Sequence, residues 1–503
     1  MSKRLQLVLL ISVFVVATCG LIYELVAGTL ASYLLGDSVT QFSTIIGAYL
    51  FSMGIGSFLS KYFSSDLIRW FIRIEILVGL VGGFSSVILF LLFEQVSHFR
   101  IVLYLLVALT GILVGLEIPL LMRILKDRLE FSELVSKVFT FDYIGALLAS
   151  VIFPLLLIPY LGIMRTSLFF GLINVAIAIL VCVWLRKEIN GARWLLPQAI
   201  ISLVLLIAGF IFSEQLLKFA EAQAYHDSVI YARSSPYQRI VVTKSGADIR
   251  LFLNGNLQFS SNDEYRYHEA LVHPAMSMVK HPKRVLVMGG GDGLAVREIL
   301  KYPEVETITL VDLDPAVTKL FNSNALLTDL NKNSLHSSKL TIINQDAFVW
   351  IKNHDTLYDV VIIDFPDPSN YSLGKLYTNT FYRELRHVVD PNGLAVIQST
   401  SPYFARKSFW IIDETLRQVG FNTLPYHAYI PSFGEWGYVL ASQTSQPDSL
   451  GLLPENLRYL SRNTFEQMTF FPPDMARTES GYNSLNNQRL VQVFEQEWSN
   501  YQP

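Results

Sequence analysis

The sequence predicts a multi-span α-helical membrane domain followed by an α/β domain with a doubly wound sheet. Three observations carry this reading. Seven apolar stretches crowd residues 1–213. From about residue 283, short apolar β-type runs alternate with helical stretches, the pattern of a mostly parallel sheet covered on both faces. Two of those runs end in acidic loops, Gly289-Gly290-Gly291-Asp292-Gly293 and Asp364-Phe365-Pro366-Asp367-Pro368. Strand ends of this kind line the ligand crevice of an open parallel sheet.

A chain of 503 residues calls for more than one domain. Residues 1–213 carry 14 Lys and Arg against 11 Asp and Glu, leaving 25 against 31 for the rest. The net charge of −3 therefore divides into +3 and −6. An acidic second half disfavours nucleic acid and suits a cationic ligand. Both cysteines, Cys19 and Cys182, lie in apolar stretches, so the second half holds no disulfide and no thiolate metal site. The apolar pattern continues past Val16-Ala17-Thr18-Cys19, which reads as a first membrane helix rather than a lipoprotein cleavage box.

The first domain is placed at 1–213. Its apolar stretches lie near 5–31, 40–59, 70–93, 101–122, 139–159, 166–185 and 195–213, each long enough or nearly so to span a bilayer. Pro159-Tyr160-Leu161-Gly162 reads as a tight turn between the fifth and sixth. Lys and Arg gather in alternate gaps: Lys3 and Arg4; Lys61, Arg69 and Arg73; Arg123, Lys126, Arg128 and Lys137; Arg186, Lys187 and Arg193. This puts the N-terminus in the cytoplasm of a multi-pass cell-membrane protein. Seven crossings would put the second half outside, and charge counting alone leaves its side open. Glu24, Glu117 and Asp142 fall within spans. Such carboxylates either face a cavity or pair with cations such as Arg123 and Arg165. Gly47, Gly54 and Gly56 read as helix-packing positions.

Residues 214–280 are expected to form a linker helix (214–226) and a small antiparallel β layer (228–260). Turn signals at Lys244-Ser245-Gly246-Ala247-Asp248 and Leu253-Asn254-Gly255-Asn256 divide that layer. The α/β domain is placed at 281–442. Strands are expected near 284–288, 306–312, 339–344, 358–364, 393–399, 422–428 and 436–442. Helices begin after Gly293 and Pro315 and near Asp346, Lys375 and Arg406. Residues 443–503 read as a polar, irregular tail packed on the core.

A lone glycine-rich loop after a strand is weak evidence for a nucleotide. Here Asp312 ends the next strand, 23 residues after Gly289, where an acid can take both ribose hydroxyls. Asp346-Ala347 follows the third strand, where an acid can accept from an adenine amino group. Each acid alone reads as a loop cap. At successive strand ends they read as an adenosine site on a Rossmann-like, class I methyltransferase-like sheet.

Over about 225–442 the sequence resembles the spermidine synthase (polyamine aminopropyltransferase) family. The resemblance rests on Tyr237-Gln238, Leu253-Asn254-Gly255-Asn256-Leu257-Gln258, Asp263-Glu264, Tyr267-His268-Glu269 and His273-Pro274. It continues through the GGGDG loop, Arg297-Glu298, Asp312, Asp346-Ala347, the DFPDP loop, Leu376-Tyr377, Phe381-Tyr382 and Ile430-Pro431. The whole chain looks like the membrane-fused bacterial branch of that family. The resemblance implies an aminopropyl donor, decarboxylated S-adenosylmethionine, as co-substrate with no resident cofactor and no metal. Gln238, Gly289, Gly291, Asp312, Asp346 and Ala347 would hold its nucleoside. Tyr267, His268, Asp292, Asp364 and Asp367 would line the amine site, with Asp364 as catalytic base. Products would be a longer polyamine, spermidine from putrescine, and methylthioadenosine. The partners expected are a small-molecule polyamine and the lipid bilayer; homo-oligomerisation through the soluble domain stays open.

The chemistry agrees independently. A protonated amine must lose a proton before it attacks carbon, and a positioned carboxylate can take it. Neighbouring carboxylates raise one another's pKa, which makes a better base. The sulfonium is already an activated leaving group, so the step needs no Lewis acid. Two alternatives stand beside this reading. One is a methyltransferase that uses intact S-adenosylmethionine; Asp292 would repel that donor's carboxylate but attract the ammonium of the decarboxylated one. The other is a polyamine-binding membrane transporter or sensor. Four positions depart from the family pattern: Phe365-Pro366 replaces a small polar pair, Tyr371 a common proline, Asp312 the commoner Glu, and Phe433 a tyrosine that contacts the amine.

Overall fold

The computed structural model describes the chain apart from residues 1–2, 36–37, 94–95, 97, 127–129, 186–193, 226, 445–449 and 500–503. Arg128, Arg186, Lys187 and Arg193, used above in reading charge, lie outside the described residues. Two compact units result, Met1–Val229 and Ile230–Pro503.

The first unit is helical: α1 (Lys3–Leu35), α2 (Ser38–Leu59), α3 (Leu67–Leu92), α4 (Phe99–Leu125), α5 (Phe131–Ile152), α6 (Ile158–Trp184) and α7 (Leu195–Ala224). Among the described residues, six helical stretches are long and apolar enough to cross a membrane. The fifth, Phe131–Trp184, runs 54 residues because α5 and α6 are joined without a loop. Pro154 and Pro159 remove two backbone donors there, and the helix slips into a π turn over Phe153–Leu157. Gly162 alone leaves helical geometry, at φ 74 and ψ 174. The turn expected at 159–162 is thus a one-residue break. Of the linker expected at 214–226, residues 214–224 are likewise continuous with the preceding span, as α7.

Glycine packing differs from expectation. A Cβ at Gly47 or Gly54 would meet nothing within 4 Å. One at Gly56 would sit 2.0 Å from the Ile112 carbonyl oxygen, and one at Gly115 2.2 Å from that of Met53. The contact between α2 and α4 is therefore made by Gly56 with Gly111 and Gly115, where the backbones meet with no side chain between them.

The second unit opens with an antiparallel sheet, β1 (Ser228–Ser234), β2 (Arg239–Ser245), β3 (Asp248–Leu253) and β4 (Asn256–Ser260), in the order β1-β2-β3-β4. Asn254 and Gly255, at φ 51 and 81, make the two-residue hairpin between β3 and β4. Helix α8 (Glu264–Met278) leads into alternating elements: β5 (Arg284–Gly289), α9 (Leu294–Ile299), β6 (Thr307–Asp312), α10 (Pro315–Ser323), α11 (Ala325–Leu330), β7 (Leu340–Asn344), α12 (Ala347–Ile351) and β8 (Tyr358–Asp364). These are followed by α13 (Tyr371–Gly374), α14 (Asn379–Val388), β9 (Val389–Gln398), α15 (Arg406–Gln418), β10 (Asn422–Ile430) and β11 (Gly434–Ser442).

The seven-stranded sheet has the order β10-β11-β9-β8-β5-β6-β7. Strands β5 to β9 are parallel, and β11 pairs antiparallel with both β9 and β10. Alternate residues of β5 enter opposite cores, Val285 and Val287 on one face and Leu286 and Met288 on the other. Strand order reverses direction between β5 and β8, and a ligand crevice opens at such a switch point.

The C-terminal stretch is more ordered than the irregular tail expected. It forms α16 (Arg462–Met468) and α17 (Arg489–Ser499). Leu490, Val491 and Phe494 are buried. Glu497 accepts from the backbone N–H groups of Lys407 and Ser408, capping α15 at 2.8 and 3.0 Å.

The glycine contact between α2 and α4 gives a direct test. Gly115→Ile should lower thermal stability of the full chain by roughly 2 kcal/mol or more through overpacking. Gly54→Ile should leave it nearly unchanged. Equal effects in a thermal scan would refute this packing assignment.

Candidate active site

The crevice lies where β5 and β8 end side by side, with Gly289 paired to Asp364. Gly289 has φ 80, and a Cβ there would lie 2.1 Å from the Asp364 carbonyl oxygen. Only glycine permits both that conformation and that approach. The loop then runs toward β6, where Gly291 N–H donates to Asp312 Oδ2 at 3.0 Å. It is held from below by Asn331 Nδ2 on the Asp292 carbonyl and Ser334 Oγ on the Gly293 carbonyl.

Asp364 is partly buried at the crevice floor. Its Oδ1 accepts from the Tyr267 hydroxyl at 2.5 Å. Burial pushes its pKa up to about 6, the nearby Asp292 charge adds to the rise, and His268 and Tyr267 oppose it. Asp367 accepts from Gln398 Nε2 at 3.0 Å and from Thr400 Oγ1 at 3.2 Å. Burial raises it too to about 6 against those two donors. Asp292 Oδ1 accepts from Leu294 N–H at 2.9 Å. Its pKa is raised by burial, with His268 and that N–H pulling the other way. Three carboxyls thus share one crevice, each nearer neutrality than in water.

His268, a turn of α8 from Glu264, does not aim a free nitrogen pair at the crevice. Its Nδ1 is 2.8 Å from Glu264 Oε2. Desolvation pulls its pKa down, but the Glu264 bond and charge, with Asp292 and Asp364 beyond, together push it up to about 9. A protonated His268 therefore stands behind the acids as a fixed cation. Glu264 is in turn held by Arg297, Nη1 and Nη2 each at 2.9 Å from one carboxylate oxygen. Arg297 Nε bonds Glu298, which also takes His273 and Lys301. This buried ionic chain fixes α8 against α9.

Among the residues expected to hold the nucleoside, Asp312 accepts from Gly291 and Asp314 N–H groups. Burial raises it to about 6 against those two bonds. Gln238 reaches Asp314 rather than Asp312, donating at 3.0 Å beside Ser235. Asp346 caps α12 by accepting from Phe348 N–H at 2.8 Å, and its other oxygen is 2.6 Å from Lys375 Nζ. Ala347 is buried. Phe433 packs near the Tyr267 ring, centroids 6.3 Å apart, and sets an apolar side chain beside that tyrosine.

Sequence reasoning passed over Glu264 and Arg297 as functional residues, along with Gln398, Thr400, Asp314 and Lys375. Glu264 could have been found: it stands four residues before His268, one helical turn away. Lys375 and Gln398 carry no local pattern and meet the site only through the fold.

Residues 264–450 match the spermine/spermidine synthase domain family. The chain is 53% identical to a polyamine aminopropyltransferase of Leptospira interrogans, over 98% of this chain and 99% of that one. It is also 53% identical to polyamine aminopropyltransferase 2 of Ralstonia nicotianae, covering 99% of each. A solved spermidine synthase in complex with the transition-state analogue AdoDATO shares 25% identity at a TM-score of 0.46, over 49% of this chain and 86% of that one.

The ionic chain behind the acids yields a prediction. His268 has a folded pKa above its unfolded value, so its contribution to stability is full below the unfolded value and is lost as pH rises through about 9. Glu264→Gln should shift the His268 imidazole titration downward in an NMR experiment and flatten that alkaline loss. It should also cost on the order of 3 kcal/mol, because Arg297 loses its buried partner. An unmoved His268 titration would break the assignment.

Proposed function

The chain belongs to the spermine/spermidine synthase family of polyamine aminopropyltransferases, and from that membership we propose which groups perform the transfer and on which substrates. The chain is an aminopropyltransferase. The donor proposed is decarboxylated S-adenosylmethionine and the acceptor putrescine, giving spermidine. The observation that carries this reading is the crevice of three partly neutralised carboxyls, with Tyr267 bonded to Asp364 at 2.5 Å.

Asp364 is the base. Its carboxylate takes a proton from the acceptor ammonium and holds the freed nitrogen toward the donor carbon next to sulfur. The C–N bond forms as the C–S bond breaks, sulfur keeps the electron pair, and methylthioadenosine leaves uncharged. Tyr267 fixes the rotamer of Asp364. Asp292 faces the ammonium tail of the donor, and Asp367, oriented by Gln398 and Thr400, takes the far ammonium of the acceptor. His268 balances part of this negative charge, acting as a positioning residue rather than an amine ligand. Asp312, with Gly289 and Gly291 leaving room, receives the ribose hydroxyls. Gln238 acts through Asp314. For Asp346 to accept from the adenine amino group beside Ala347, Lys375 must share or yield its oxygen.

The helical unit is proposed to lie in a bilayer. Many of its large outward-facing side chains are apolar, among them Leu50, Phe51 and Phe58 on α2, Leu147 on α5 and Ile201 and Val204 on α7. With the break at Gly162 counted as a turn, the stretches make seven crossings. Arg165, just past that break, bonds Ser213 and Glu214 of α7. That contact supports antiparallel passage of the last two. Reporters fused near residue 190 and near residue 225 should then read opposite sides, the first cytoplasmic. Two cytoplasmic readings would mean that α7 does not cross.

Steady-state assays test the chemistry. Asp364→Asn should keep nucleoside binding and lower turnover by at least ~100-fold. In the parent enzyme kcat/KM should fall as pH drops below about 6, because the base works only ionised. Asp292→Asn should narrow the binding preference for decarboxylated over intact S-adenosylmethionine. Near-normal turnover of Asp364→Asn removes that residue from the mechanism, and methyl transfer to any acceptor defeats the donor assignment.

A further inference from the structure

Glu75 on α3 and Glu117 on α4 are both completely buried in the helical unit. The arginine partners expected for Glu117 are engaged elsewhere. Arg123 donates to the Ser60 carbonyl at 2.8 Å, and Arg165 to Ser213 and Glu214. Glu75 Oε2 accepts from Asn174 Nδ2 at 2.9 Å, and the Tyr23 hydroxyl donates to Asn174 Oδ1 at 3.1 Å. Glu75 Oε1 and both oxygens of Glu117 receive no donor. The two carboxyl groups are each other's hydrogen-bond neighbours. Cys19 and Tyr23 from α1 lie within electrostatic range of both glutamates, and Tyr49 from α2 within range of Glu117 and Glu24. The Tyr49 hydroxyl is committed to the Gly20 carbonyl at 2.9 Å. Among the described residues, no Lys, Arg or His acts on the pair.

Two carboxylates in contact inside a dry bundle cannot both stay ionised. Three carboxyl oxygens without a donor are costly if nothing fills the gap. A hydrogen between the groups satisfies one oxygen as donor and one as acceptor and removes half the charge. We propose that Glu75 and Glu117 form a proton-binding site of the helical unit, one proton shared between them and the remaining charge held by Asn174. The site sits where α1, α3, α4 and α6 meet. Beside it α3 and α6 touch backbone to backbone: a Cβ at Gly79 would lie 2.8 Å from the Gly171 oxygen and 3.4 Å from Asn174 Cβ. No slack exists there to absorb a second charge, so gain and loss of the proton bears directly on how these helices pack. Asp142, grouped with Glu24 and Glu117 in the sequence reading, is half-buried on α5 and is not among the groups acting on this pair.

This rests on the helical unit alone, so its failure and the failure of the aminopropyl reading are separable: one is read by spectroscopy and the other by turnover. The full chain in lipid bilayers is examined by infrared absorption near neutral pH. The parent protein should show a carboxylic-acid carbonyl band that the Glu75→Gln/Glu117→Gln variant lacks. Glu75→Gln/Glu117→Leu, which keeps the Asn174 bond, provides the same comparison if the amide pair fails to fold. Titration of the parent to alkaline pH should remove the band and lower the thermal midpoint by more than in either variant, where only the loss carried by His268 remains. Identical carboxylic-acid absorption in parent and variants overturns the proposal, since both glutamates would then be ionised and held by a cation other than a proton.

Discussion

The catalytic unit depends on one close approach, the packing of Gly289 against the backbone of Asp364 where β5 and β8 run side by side. No side chain fits between them, so the glycine-rich loop and the acidic loop are forced to share one crevice. This brings Asp292 and Asp364 within range of each other's charge, with Asp367 on the same acidic loop, at a cost in repulsion between the first two and in desolvation of all three. The rest of the site offsets that cost. Tyr267, Gln398 and Thr400 donate hydrogen bonds, and His268 supplies a positive charge. Glu264 and Arg297 keep that charge in place from a buried ionic chain that also locks α8 to α9.

A crevice balanced in this way suits a cationic substrate. Without ligand, the carboxyls relieve their repulsion by shifting toward neutrality. On the proposed reading, a bound diamine and a sulfonium donor would supply the missing positive charge and favour the ionised forms. Binding would then prepare the proposed base: the same event that brings the acceptor in would draw protons off the acids that must receive one.

Much of this was legible in the sequence, because strands and loops are local. The seven strands of the large sheet fall close to where apolar runs and turn residues placed them, and the asparagine-glycine hairpin sits where its dipeptide stands. What was missed depends on distant packing. Lys375 meets Asp346 only because two connections fold over the same strand ends. The helices α16 and α17 were hidden by polar composition, since their buried faces are narrow. Glu75 was overlooked although it stands within an apolar stretch, because attention to Glu24, Glu117 and Asp142 took single spans rather than helix pairs as the unit. The packing glycines were misassigned for the same reason. Spacing along α2 does not say which face meets α4, and Gly56 is chosen over Gly47 and Gly54 only by Gly111 and Gly115 on the partner helix.

The last helix carries a consequence for how the protein is made. Glu497 closes the start of α15, and the buried Asn483 side chain donates to the carbonyls of Gly374 and Tyr377. The side of α15 that α17 covers therefore stays open until α17 has been made. The helical unit, synthesised first, has finished emerging long before that moment. Assembly of the catalytic unit is consequently completed only after α17 has emerged, well after the helical unit has been made. A premature stop near the C-terminus would leave an enzyme lacking its cover rather than one shortened by a dispensable tail.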